Sequence, residues 1–187
     1  MIKSISFWEK ESLEQVYDLI IIGAGFVGLS AAISYKEQFA DKNILVLERG
    51  VIAYGASTRN AGFSCFGSIG ELEDDLQNGS LESIKETVRL RYQGLQKLRS
   101  LVPEDQMDYV ECGSVELFDD QKSYEAAAEK IMFWNEALSF LKLDNIFQRV
   151  DVEHGGFYKM GISNPFEGQL NPKKTGRLFM ARKKKTS

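Results

Sequence analysis

The chain has 187 residues, 43% hydrophobic and 27% charged, with a formal net charge of −4 and two cysteines. That is globular composition with room for one sizeable core, and it excludes a disordered, collagen-like or disulfide-framed chain. No run of about 18 apolar residues occurs and residues 1–15 hold no long apolar segment with a small-residue cleavage site, so a cytoplasmic chain without an integral membrane segment is expected.

Residues 1–16 read as a short amphipathic lead-in, with Ile5, Phe7 and Trp8 able to pack on a neighbour and no chemistry assigned. The apolar run 19–22 predicts a strand. It leads into Gly23, Gly25 and Gly28 at G-x-G-x-x-G spacing, and residues 26–39 behind it carry Val27, Ala31, Ala32 and Tyr35 at a helical period. Each glycine has its own reason: Gly23 for a tight turn, Gly25 for approach of a pyrophosphate to bare backbone, Gly28 for close packing of helix on strand. The helix N-terminus presents free N–H groups and a positive dipole to that phosphate. Asp41, Lys42 and Asn43 are turn residues, and the continuous apolar run 44–47 predicts a second strand inside a parallel sheet. Glu48 ends it, at the offset where an acid accepts hydrogen bonds from ribose hydroxyls. Together these features predict a dinucleotide site; a βαβ unit without a ligand is the alternative.

Residues 55–68, GASTRNAGFSCFGS, crowd glycines and hydroxyls into one stretch, as backbone wrapped around a ligand would. Ser57, Thr58 and Asn60 offer polar side chains, and Arg59 offers a fork for an anionic group. A flexible loop is the plain alternative.

The combination of YDLIIIGAGFVGLSAA, LERG and GASTRNAGF, in that order, resembles the N-terminal part of the FAD-dependent oxidoreductases of the D-amino-acid oxidase, glycine oxidase and sarcosine oxidase type. The likeness covers residues 17–67 and continues, weaker, as far as Pro172. It implies that Gly23, Gly25 and Gly28 hold the FAD pyrophosphate, that Glu48 binds the adenosine ribose and that Arg49 flanks the adenine side. It also implies that Ser57, Thr58, Asn60, Ala61 and Gly62 lie along pyrophosphate, ribityl chain and flavin ring. Some relatives attach flavin through His or Cys, which raises the question for Cys65; a small buried thiol is the plain reading.

Further along, Leu72 and Leu76 share a helix face, Asn78-Gly79 is a helix stop and Ser80 an N-cap. Leu81, Ile84, Val88, Leu95, Leu98 and Val102 then mark a long amphipathic helix ended by Pro103. Residues 109–118 read as a strand bent at Gly113. Asp119 and Asp120 can start a helix over 124–143 with an apolar stripe of Ala127, Ile131, Trp134, Leu138 and Leu141. Residues 147–152 and 156–162 read as short strands with His154, the one histidine, as a turn residue between them. With no second candidate ligand it supports neither a metal site nor a triad. GQLNP, residues 168–172, resembles the point where family chains return to the FAD domain, but residues 173–187 lack the apolar stripe of a packed helix. From Lys173 on there are seven basic residues and no acid. With Phe179 as the tail's one aromatic and no recognition motif, nucleic acid is not an expected partner.

The fold class expected is α/β: an incomplete Rossmann-type FAD-binding domain over residues 1–103, part of an inserted α+β substrate domain over 104–166, and a return segment over 167–187. Only two strands of the FAD domain can be found, so the first should keep an unpaired edge. The function the resemblance implies is oxidation of a C–N bond in a small amino acid or amine, hydride passing to flavin N5, with no side chain assigned as catalytic. A catalytically inactive dinucleotide-binding fragment and an NAD-linked Rossmann enzyme are the alternatives. The GASTRNAGF segment favours flavin, since NAD sites do not need that second wrapping loop.

Overall fold

The structure, a computed structural model, describes residues 6–7, 15–51, 53–154 and 157–181. The chain divides into two compact units, residues 1–60 with 176–187, and residues 61–175.

In the first unit, strand β1 (Leu19–Ile22), helix α1 (Phe26–Gln38) and strand β2 (Ile44–Leu47) stand where the sequence predicts them. The strands pair in parallel from Leu19 opposite Ile44 to Ile22 opposite Leu47. Because side chains alternate across a strand, Leu19, Ile21, Ile44 and Val46 share the face that α1 covers. Asp18 sets the register from below: its carboxylate accepts from the Asn43 N–H at 2.8 Å and pairs with Lys42 at 3.0 Å. The other face is bare, with Ile22 89% and Ile20 55% exposed. Among the described residues β1 pairs only with β2.

The last helix, α6 (Pro172–Ala181), corrects the expectation that the tail lacks a packing face. Its residues from Gly176 on belong to the first unit, where the Phe179 ring lies edge-on to Phe26 at 5.8 Å. A side chain at Gly176 would touch the Thr58 methyl. Thr175, Gly176 and Phe179 form the buried stripe. Two of the three are small rather than apolar, which hides the stripe from a hydrophobicity count.

The second unit runs β3 (Phe63–Ser64), α2 (Ile69–Asn78), α3 (Leu81–Leu101), β4 (Ser114–Leu117), α4 (Gln121–Ala128), α5 (Ile131–Ala137), β5 (Gln148–His154), β6 (Phe157–Asn164), β7 (Gly168–Gln169) and the first residues of α6. Strands β4, β6 and β5 form an antiparallel sheet in that order, and β3 pairs antiparallel with β7. Ser80 caps α3 reciprocally with Ser83, and Val102 ends that helix before Pro103 as expected. Gly79 is extended, φ −131°, so it stops α2 without a left-handed turn. The strand expected over 109–118 changes partner at its bend: Val110 bridges to Gln169, Gly113 takes φ +72°, and β4 follows on β6.

The single helix expected over 124–143 is two helices and a 3-10 turn, Ser139–Leu141, with the break at Glu129-Lys130. The Lys130 N–H reaches back three residues, to Ala127. Asn135 then meets Phe147 through both its amide groups, accepting from the N–H at 2.8 Å and donating to the carbonyl at 3.0 Å. The apolar stripe survives the break: Trp134 and Leu138 are fully buried, and the Trp134 indole N–H donates to Glu73 at 2.7 Å. His154 closes β5 opposite Phe157 rather than standing in a turn; its side chain and the two residues after it lie outside the described residues.

Glu167 is a buried carboxylate between β6 and β7, 3% exposed. It accepts from the Phe66 N–H at 2.7 Å, the Gly67 N–H at 3.3 Å and the Ser114 hydroxyl at 2.5 Å. These three donors satisfy its oxygens, as a buried polar group requires.

Candidate functional site: the glycine turn

The turn between β1 and α1 shows why each of its glycines is there. Gly23 has φ +101°, a conformation that L side chains rarely adopt. At Gly28 a Cβ would overlap the Gly23 carbonyl oxygen and press on Ile21 at 3.1 Å, which is the close helix–strand packing expected. At Gly25 a Cβ would meet the Ser57 hydroxyl at 3.0 Å, so the close approach this glycine permits in the structure is that of the second loop.

Glu48 reaches that turn from the end of β2. One of its carboxylate oxygens accepts from the Ala24 N–H at 2.9 Å, the other from the Gly50 N–H at 3.0 Å. These contacts hold its carboxyl below the usual range, the Gly50 amide first and the Ala24 amide second, with a small contribution from Arg49. Each oxygen still has a lone pair for a further donor. Glu48 and Ala24 also line an open groove of about 580 Å³ along α1 and β2, whose other walls include Leu29, Ile33, Val46 and Phe179. That is an ordinary size for a small-molecule site.

The second loop is held by its own polar groups. The Ser57 hydroxyl accepts from the Phe26 N–H at 2.9 Å, at the start of α1. Thr58 donates to the Ala53 carbonyl at 2.6 Å, and the Asn60 amide donates to the carbonyls of Ala56 and Ser57. Thr58 and Asn60 therefore shape the 3-10 turn Ala56–Thr58, while Ser57 ties it to the helix. Arg59 is exposed with its guanidinium 5.6 Å from the Tyr54 ring centre, a cation on the loop's outer side. Arg49 is exposed beside Glu48.

Eight of the ten candidate residues, Gly23, Gly25, Gly28, Glu48, Arg49, Ser57, Thr58 and Asn60, thus lie in the first unit; Ala61 and Gly62 lie in the second. Gly62 has φ +78°, and a Cβ there would overlap the Leu170 carbonyl oxygen, so the close approach it permits is that of the chain itself. The amides of Ala24 and Phe26 are site groups that the sequence could not single out, because every residue but proline has one. Among the described residues no cluster of His, Cys, Asp and Glu could hold a metal ion. Cys65, expected as a small buried thiol, is exposed; partial desolvation first, and the charge of Glu167 second, push its thiol up. That disfavours the thiolate a covalent attachment would use.

The first unit fits a dinucleotide: a glycine turn between strand and helix, a helix N-terminus behind it, and an acceptor with spare lone pairs at the second strand end. No curated protein sequence matches the chain. Among solved structures it is similar to the L-amino acid deaminase of Proteus myxofaciens in complex with anthranilate (TM-score 0.65, 19% identity, 88% of this chain and 35% of that one). It is also similar to the glycine oxidase of Bacillus cereus (0.55, 17%, 89% and 43%) and to the iminodiacetate oxidase of a Chelativorans species (0.57, 16%, 87% and 44%). The chain therefore spans under half the length of these proteins, and the likeness is one of fold. No described helix is long and apolar enough to cross a membrane. Residues 18–184 match the family DAO, FAD dependent oxidoreductase, and to that family of flavin enzymes the chain belongs.

Proposed function

We propose that this chain is the FAD-holding part of an oxidoreductase that acts on the C–N bond of a small amino acid or amine. One observation carries the reading: Glu48 is brought to the glycine turn at the head of α1, with its oxygens placed by the Ala24 and Gly50 amides. The glycine turn accommodates the diphosphate, Glu48 accepts from the adenosine ribose, and the loop of Ser57, Thr58, Asn60, Ala61 and Gly62 follows the chain towards the ring. Bound FAD supplies a hydride acceptor at N5, and the protein supplies placement. The names of the structural relatives, an amino acid deaminase and two oxidases of glycine and iminodiacetate, support the substrate class. In this reading residues 1–103 serve the FAD domain, 104–166 the substrate domain and 167–187 the return between them, in a cytoplasmic protein with no nucleic-acid partner.

The test is titration of flavin fluorescence with the purified 187-residue chain. Saturable quenching by FAD, with NADH failing to compete, is expected. Gly25→Val should abolish quenching while thermal stability changes little, because its side chain first meets the Ser57 hydroxyl rather than backbone. Absence of quenching by the wild-type chain, or tighter binding of NADH than of FAD, overturns the reading. The bare face of β1 and β2 favours a second statement, that this chain alone turns nothing over. Anaerobic bleaching of its flavin by any member of an amine and amino-acid panel would refute that.

A further inference from the structure

Asn78 is the last residue of α2 and Leu81 the first of α3, so Gly79 and Ser80 alone join the two helices. Ile69 and Leu72 of the first helix and Ile84 and Val88 of the second lie in one buried cluster. The link itself is at the surface, with Asn78, Gly79 and Ser80 all exposed. An open groove of about 300 Å³ runs beside it, lined by Asp75, Asn78, Gly79, Ser83, Ile84 and Thr87, so the Asn78 amide and the Gly79 backbone both meet water.

Conformation does not call for glycine at this place. Gly79 has φ −131° and ψ −179°, extended backbone that any residue adopts. A Cβ there would come to 3.2 Å from the Asp75 carbonyl oxygen and 3.4 Å from the Ser83 hydroxyl, and to nothing closer. What the missing side chain does is leave the Gly79 nitrogen unshielded next to a side-chain amide. That nitrogen is held by one bond, to the Asp75 carbonyl at 2.9 Å. It is the terminal bond of α2, and helix ends open locally without global unfolding.

We propose that Asn78-Gly79 is a self-modification site, at which the folded chain deamidates through a cyclic imide and so ages at the link between α2 and α3. With the last turn open, the Gly79 nitrogen loses its proton to hydroxide and bonds to Asn78 Cγ. The Cγ–Nδ2 bond breaks, and ammonia leaves with a proton taken from water. The five-membered imide then takes up one water. Opening at the side-chain carbonyl gives aspartate; opening at the main-chain carbonyl gives isoaspartate, whose backbone runs through Cβ and is one carbon longer. Either product puts a carboxylate at the C-terminal end of α2, one turn from Asp74 and Asp75, where the helix dipole and the like charges both oppose it. Isoaspartate also lengthens the chain just ahead of the reciprocal Ser80–Ser83 cap.

The test is storage of the folded 187-residue chain in warm, mildly alkaline buffer, followed by peptide mass analysis and isoaspartate detection. Conversion at Asn78 ahead of every other asparagine is expected, with ammonia released in equal amount. Gly79→Ala needs only a small shift of the Asp75 carbonyl and should slow conversion roughly tenfold, a steric cost of ordinary size placed on the barrier. Asn78→Gln must close a six-membered ring and should arrest conversion with Gly79 untouched. The isoaspartate-bearing chain should melt below Asn78→Asp, which carries the charge without the added carbon. No conversion in the folded chain overturns the proposal, even where a urea-unfolded sample converts, because the helix end would then protect the site. Equal conversion in Gly79→Ala or Asn78→Gln, or faster conversion at another asparagine, overturns it as well. Melting of the isoaspartate chain at or above that of Asn78→Asp removes the role given to the link.

Discussion

Residues 61–175 bury Trp134, Leu138, Ile146 and Ile69 completely, inside one cluster that also takes in Phe66, Leu72 and Ile162. In the other unit the buried hydrophobic residues among those described are Ala24, Leu29, Ala53 and Phe179, while Ile22, Val27 and Val51 are almost fully exposed. The region with the legible ligand motif is the region with little core. A glycine turn obtains its shape from backbone geometry and close approach, which need no bulk; a core obtains stability from buried area, which needs a great deal. Motif and core can therefore occupy different parts of one chain.

The contrast can be broken from either side. Trp134→Ala removes the largest fully buried side chain and the donor to Glu73, so the second unit should lose about 3–5 kcal/mol. Hydrogen exchange should show that loss there while the β1 and β2 amides keep their protection; equal loss in both would mean that the units unfold together. Gly28→Ala forces a methyl group against the Gly23 carbonyl, an overpacking cost of about 1–3 kcal/mol. It should be confined to the turn, with ADP binding lost and the second unit's exchange unchanged. Glu48→Ala should weaken FAD about tenfold, the loss of one charged acceptor. The same contact sets a pH dependence. The folded-state pKa of Glu48 is lowered, so its contribution is present above the ordinary carboxylate range and is lost as pH falls through the lowered value. FAD affinity should fall in acid for the wild-type chain and change less for Glu48→Gln; identical acid profiles would remove Glu48 from the site. Ile22→Lys touches exposed surface and should shift stability by no more than about 0.5 kcal/mol. It should nonetheless reduce self-association in light scattering, since charge on a bare strand opposes edge pairing.

What could be read in advance follows from how local each cause is. Strand, glycine turn and helix over 19–38 are set by neighbours in sequence, and so is the Ser80 cap with its partner three residues on. The break at Glu129-Lys130 has no glycine or proline to announce it, and it goes with the grip of Asn135 on Phe147, 12 residues away. Glu167 reads as one more surface acid until Phe66, 101 residues earlier, is seen to donate to it. At the glycine turn itself the sequence indicated which residues matter, but not that Ser57 is docked on the Phe26 amide.

The long reach between Phe66 and Glu167 also sets an order in time. A ribosome adds roughly 5–20 residues per second. The β1–α1–β2 segment is therefore complete roughly 6–24 seconds before Glu167 emerges to tie down the Phe66 turn, and Phe179 arrives later still to meet Phe26. Throughout that interval the nascent chain displays a finished parallel pair with one bare aliphatic face. Newly made chains are thus most exposed to mispairing before their larger core exists, and conditions that slow elongation should lower the soluble yield of this protein more than its equilibrium stability would suggest.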